Sequence, residues 1–201
     1  MGVAWVFECE HAQTTAELII TGGGAGLLGP FRVDSSSYRP SDAHAQHIGQ
    51  LAVLHHSYYP ESTFSIMIGT FPPKQTPRST CDRGFDMILS KLSGGLQMDN
   101  SGKFEVNGNE YKLKDFRVRI GTATQNGSVK GVIVEVEYTP TWMPRQGLSM
   151  LAEFLQMFFA ETLKHTPEFF REQRTPHPEP YLPIDTLHQY QNIFMTMRLR
   201  A

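Results

Sequence analysis

Apolar and polar positions alternate with period two along much of this chain, most clearly past its middle. Val132, Val134, Val136 and Tyr138 fall on one face of the run 131–138, and Phe116, Val118 and Ile120 alternate the same way in 116–120. Both runs read as strands. Gln125-Asn126-Gly127-Ser128 lies between them, and Asn-Gly is a strong hairpin signal. If the apolar residues of the two strands share a face, directly opposed residues must have numbers with an even sum, which a three-residue loop over 126–128 provides. Arg119 then lies opposite Glu135 and Arg117 opposite Glu137, on the face away from Val134.

The period becomes helical over 147–165. Leu148, Leu151, Ala152, Leu155, Phe159 and Leu163 form one stripe, and Met150, Phe154 and Met157 a second. So narrow a polar face needs two things to pack against: the sheet, here assigned to Leu151, Leu155 and Phe159, and a partner. Trp5, Trp142, Met150, Phe154 and Met157 exceed what one small core obviously needs and are the candidate partner-binding residues; the plainer reading of each taken singly is that it fills the core.

The rest of the pattern is shorter. Val3–Glu8 reads as a strand and 14–20 as a helix capped by Thr14 or Thr15. Phe31–Val33 reads as a short strand and 35–46 as loop. Residues 51–54 and 63–68 pair as a second hairpin. Asp82 is placed to cap a helix carrying Phe85, Ile88, Leu89 and Leu92 that ends at Gly94-Gly95. Phe104 and Tyr111 flank Asn107-Gly108 as a third hairpin; one strand running on from Tyr111 to Ile120 would instead need a bulge near Lys114-Asp115. Five prolines between 166 and 183 mark a linker. A last helix over 185–198 lines up Leu187, Tyr190, Phe194 and Met197. Hairpins without βαβ alternation give an α+β fold: an antiparallel β-barrel or curled sheet with two or three packed helices, as a single domain over residues 1–201.

The chain has 201 residues, a formal net charge of −2 and 40% hydrophobic residues, which suit a domain with a sizeable core. There is no basic surplus for nucleic acid, no run long enough to span a membrane and no secretory signal. Cys9 and Cys81 are read as reduced thiols.

Candidate chemistry is sparse. Gly24, Gly26 and Gly29 spell a dinucleotide fingerprint, but no helix-forming run follows, so the loop is read as a helix end. The strand over 51–55 separates His44 and His47 from His55 and His56, and no Cys or nearby carboxylate completes a four-ligand set, so they are not read as a metal site. There is no nucleophile elbow, P-loop or CxxC, and Cys81 has no assignable base. Glu135-x-Glu137 opposite Arg117-x-Arg119 is the one constellation with enzymatic meaning: carboxylates to hold a metal, guanidiniums to hold phosphates. The plainer reading is cross-strand ion pairs on a solvated face. No cofactor, metal or small-molecule substrate is expected.

Three blocks, 114–122, 130–140 and 151–158, resemble in order and spacing subunit 20 of the Mediator transcription complex. His55–Pro60, Phe85–Leu89 with Lys91-Leu92, and Thr186, Gln189, Tyr190 and Phe194 are similar to that family too. The resemblance implies a non-enzymatic, nuclear head-module subunit. It would pair directly with subunit 18, itself anchored by subunit 8, and act on RNA polymerase II through the module, with no direct contact to nucleic acid. It also implies a barrel similar to those of triphosphate tunnel enzymes, which carry Glu-x-Glu-x-Lys near the start of the chain. Here the motif lies past mid-chain and Thr139 stands at the lysine position, so a tunnel-type phosphohydrolase is the alternative.

Overall fold

The computed structural model describes residues 2–41, 49–69, 76–92, 95–164 and 179–200. Its elements are β1 (Val3–Cys9), α1 (Gln13–Gly22), β2 (Gly26–Pro40), β3 (Gln50–His56), β4 (Ser62–Ile68), β5 (Arg78–Asp82), α2 (Gly84–Lys91), β6 (Leu96–Leu113), β7 (Phe116–Gln125), β8 (Ser128–Tyr138), α3 (Pro144–Phe158), a 3-10 turn (Ala160–Lys164) and α4 (Pro183–Arg198). Among the described residues the strands form one antiparallel sheet in the order β1-β8-β7-β6-β2-β3-β4-β5.

Each face of the sheet carries a buried core. On the convex face Trp5, Phe7, Val118, Ile120, Val134 and Val136 pack with Ile20 of α1 and Leu151, Phe154 and Leu155 of α3. On the concave face Val6, Phe31, Val33, Leu54, Phe64, Phe104 and Ile133 pack against Leu187, Tyr190, Phe194 and Met197 of α4. The expected apolar line of the last helix is thus its buried side.

Helix α4 touches both edge strands. The Gln189 side chain bonds the outer edge of β1 as another strand would: its Nε2 donates to Ala4 O (3.0 Å) and its Oε1 accepts from Val6 N (2.9 Å). Tyr181 Oη donates to the same carbonyl (3.1 Å). At the other edge Arg78 of β5 donates to Asp185 Oδ1 (2.9 Å). An edge left with bare amides is open to unwanted strand pairing; side chains of α4 occupy that of β1.

The β7–β8 register is as the parity argument requires: Arg117 faces Glu137, Arg119 faces Glu135 and Val118 faces Val136. The loop differs. Gln125 pairs with Ser128, so Asn126 and Gly127 form a two-residue turn, both with positive φ (49° and 83°). The odd residue is supplied by a bulge after Ala123 instead.

The Phe104–Tyr111 hairpin is not formed; β6 runs straight through Asn107-Gly108 and pairs with β2 and β7. Gly108 lies opposite Gly121, and a Cβ on it would stand 1.9 Å from Ile120 O. Its glycine serves close backbone approach rather than a turn. A turn at Lys114-Asp115, with Leu113 paired to Phe116, replaces the bulge expected there and brings Tyr111 opposite Val118.

Further differences are local. α1 begins at Gln13, so Thr14 and Thr15 lie inside it and neither caps it. Ser35–Pro40 belong to β2, because β3 and β6 pair with them on either side. Asp82 Oδ1 accepts from Gly84 N (2.7 Å) at the start of α2. The long helix stops at Phe158, since Phe159 leaves helical geometry (φ −144°, ψ 54°) and a 3-10 turn follows. Pro183 opens α4 rather than closing the linker. The remainder of the expected linker, 166–178, lies outside the described residues, as does Gly94.

Candidate functional site

The constellation singled out in the sequence is brought together, but on a buried face. Glu110 of β6, Arg117 and Arg119 of β7 and Glu135 and Glu137 of β8 sit on the concave side, because they alternate with the apolar residues of the convex core. The expectation of a solvated face is corrected here. Arg119, Glu135 and Glu137 are each 1–2% exposed, because the sheet curls around α4 and encloses them.

Arg119 is the hub. Its Nη1 donates to Glu135 Oε1 and to Glu137 Oε2 (3.1 Å), and its Nη2 lies 2.8 Å from Glu110 Oε1. Arg117, although opposite Glu137 in register, reaches Glu110 Oε1 (3.1 Å). The Tyr58 ring covers both guanidiniums at 4.7 and 5.0 Å. Glu135 Oε2 accepts from Tyr190 Oη of α4 (2.9 Å) and lies 3.1 Å from His56 Nε2. Because the Tyr58 amide donates to His56 Nδ1 (3.0 Å), the proton of a neutral His56 sits on Nε2 and points at Glu135. Glu137 Oε1 accepts from Gly2 N (2.8 Å).

Burial works to raise the Glu135 pKa, but the Arg119 charge, then the charge and hydrogen bond of His56 and the Tyr190 hydroxyl, outweigh it and hold the carboxyl well below the usual range. Burial works to lower the pKa of Arg119, and Glu135, Glu137 and Glu110 overcome it and raise it. A metal-dependent phosphohydrolase needs carboxylate oxygens free for an ion and a bore open to substrate. Here all four oxygens of Glu135 and Glu137 accept hydrogen bonds from the protein, and α4 stands in the bore. What the arrangement does chemically is hold four strands and one helix together through ion pairs and hydrogen bonds.

The expected partner-binding residues divide. Trp5 and Phe154 are 1% and 5% exposed, within the core that α1 and α3 make with the sheet, so neither offers a free surface. Trp5 alternates inward with Val3 and Phe7; Phe154 packs on Phe116 and Phe158 at 4.4 and 4.8 Å. Met150 is half-buried, while Trp142 and Met157 are 60% and 75% exposed. The Gly-rich stretch ends α1 and passes directly into β2, so no helix N-terminus points into it. His55 and His56, as strand neighbours, face opposite sides of the sheet; His44 and His47 lie outside the described residues. Among the described residues no group of metal-ligating side chains assembles. Cys9 is buried and Cys81 half-buried.

Sequence reasoning missed Glu110, His56 and Tyr190 as members of the charged cluster. Glu110 carried a usable signal, its place on a strand beside Arg119; the other two come from β3 and α4, and nothing local marks them.

Over residues 1–195 the chain matches the family described as the TATA-binding related factor (TRF) of subunit 20 of Mediator complex. It is 47% identical to Mediator of RNA polymerase II transcription subunit 20 of Caenorhabditis briggsae, covering 100% of both chains. It is 33% identical to the Homo sapiens subunit of that name, over 96% of this chain and 90% of that one. A chain in the Schizosaccharomyces pombe Mediator head module is similar at a TM-score of 0.41 and 15% identity, over 82% of this chain and 94% of that one. That likeness is too loose to bear on function.

Proposed function

Because the chain belongs to the Mediator subunit 20 family, we propose that it is a structural subunit of the Mediator head module. It works by contact rather than turnover, in the nucleus, as a coregulator of RNA polymerase II transcription. The observation that carries this reading is full-length similarity to a Mediator subunit. The interior supports it, since the charged cluster is spent on internal bonds. Its direct partner is subunit 18, with subunit 8 and the rest of the head module reached through that pairing. No direct contact with nucleic acid, membrane or a small-molecule substrate is part of the role.

The surface assigned to subunit 18 includes Trp142, just before α3, and Met157 in its last turn, with half-buried Met150 two turns before Met157 on that helix. Large apolar side chains that a monomer leaves exposed are what interfaces use as anchors. The test is a Trp142→Ala, Met157→Lys double variant, measured for association with subunit 18 by calorimetry and for stability by thermal unfolding. The fold should survive, and binding should weaken by about 2 kcal/mol or more, roughly thirtyfold. Wild-type affinity in a folded double variant removes this surface from the interface.

A further inference from the structure

His55 joins three elements through its ring. Its Nδ1 lies 2.9 Å from Asp34 Oδ1 of β2, and its Nε2 lies 3.1 Å from Asp86 Oδ1 of α2. A carboxylate only accepts, so both contacts are hydrogen bonds only when the ring carries a proton on each nitrogen. Neutral imidazole has one N–H, and its other nitrogen then meets a carboxylate lone pair to lone pair. The bridge therefore belongs to the imidazolium.

Among the described residues little else fixes α2. Leu89 is its one buried residue, while Met87, Ile88 and Leu92 just past its end are 63%, 55% and 48% exposed. Its remaining tie to the sheet in the same place is Thr63 Oγ1, which donates to Asp86 Oδ1 (3.1 Å). Neighbouring charges come from every side. Arg32 lies 3.8 Å from Asp34 and 3.3 Å from Glu105, which Lys103 also reaches at 2.9 Å. On α2's own side Arg83 lies 3.4 Å from Asp86. Across β4, Thr63 pairs with Cys81 and Ser62 with Asp82 of β5, and Tyr38 of β2 lies near enough to Asp86 to feel its charge.

We propose that His55 is a proton-operated latch: as an imidazolium it ties α2 to β2 and β3, and loss of the proton releases the helix. The hydrogen bond to Asp34 raises the His55 pKa, burial opposes it, and the Asp34 charge and the Asp86 bond and charge add to the rise. The sign follows. A base whose folded pKa is raised contributes stability fully present below its unfolded pKa, about 6.5, and lost as pH rises through the higher folded value. The latch is closed below the ordinary histidine pKa and opens as pH rises through the raised one.

The experiment uses the full chain between pH 5.5 and 8.5. It follows the His55 ring by NMR and amide-exchange protection at residues 84–91, corrected for the intrinsic pH dependence of exchange. The ring should titrate above an ordinary histidine, and protection should fall over the same range by about tenfold per pKa unit of the rise. His55→Gln, which is neutral at every pH, should abolish that slope. Should this variant not fold, Asp86→Asn serves, since its amide can donate to a neutral ring; the titration midpoint should drop and the slope shrink. An ordinary His55 titration, protection that ignores it, or an unchanged slope in the variants overturns the latch.

Discussion

Replacing Arg119 with methionine costs the chain about 3–5 kcal/mol of stability, the range for breaking a buried ion pair by removing one partner. Arg119 is the cation that Glu110, Glu135 and Glu137 share. Without it, Glu135 keeps only His56 and Tyr190, and Glu137 keeps the Gly2 amide. Burial forbids water from making up the difference, because Glu135 and Glu137 are each 2% exposed. Denaturant unfolding at neutral pH measures the loss. The deficit should narrow in acid: Glu135 is held below its ordinary pKa chiefly by Arg119, so the wild type loses stability as pH falls through that depressed value while the variant has less to lose. An Arg119→Met chain as stable as wild type at neutral pH would show that the cluster is not what the geometry says.

Phe154→Ala should cost a similar amount, about 3–5 kcal/mol, lowering the thermal midpoint by roughly 10 °C at the 2–4 °C per kcal/mol typical of this size. The ring is 5% exposed and lies between Phe116 and Phe158, so truncation leaves a cavity between α3 and the sheet. Met157→Lys, three residues on and 75% exposed, should leave the midpoint nearly unmoved. Equal effects at the two positions would contradict the placement of the helix.

Register and faces were legible in the sequence because strand period and side-chain parity are rigid. The pairing of Arg119 with Glu135 follows from where Val134 and Ile120 stand, whichever way the turn absorbs the odd residue. Solvation of that face was not legible. A strand buried on both sides shows polar residues on one of them only when another element brings partners, and those partners, His56 and Tyr190, are 79 and 55 residues from Glu135. Asn107-Gly108 misled for a related reason: an Asn-Gly pair signals a turn locally, while Gly108 is needed by Gly121 on the neighbouring strand. On α3 Leu151 and Leu155 do pack in the core with the sheet, but Phe159 and Leu163 lie past the helix end, and period alone could not tell Phe154, turned toward Phe116, from Met157, turned to solvent. The buried amide of Gln189, which bonds the edge of β1, leaves no trace in a hydrophobic pattern at all.

The family places this chain in Mediator, and the filled bore agrees with a subunit that acts through its surface. The direct test is to mix the purified, folded chain with purified, folded subunit 18 from the same organism and read the mass by size exclusion with light scattering. A 1:1 complex is predicted, without metal, nucleotide or other cofactor added. Two separate peaks from two folded proteins, across the micromolar range, would contradict the account.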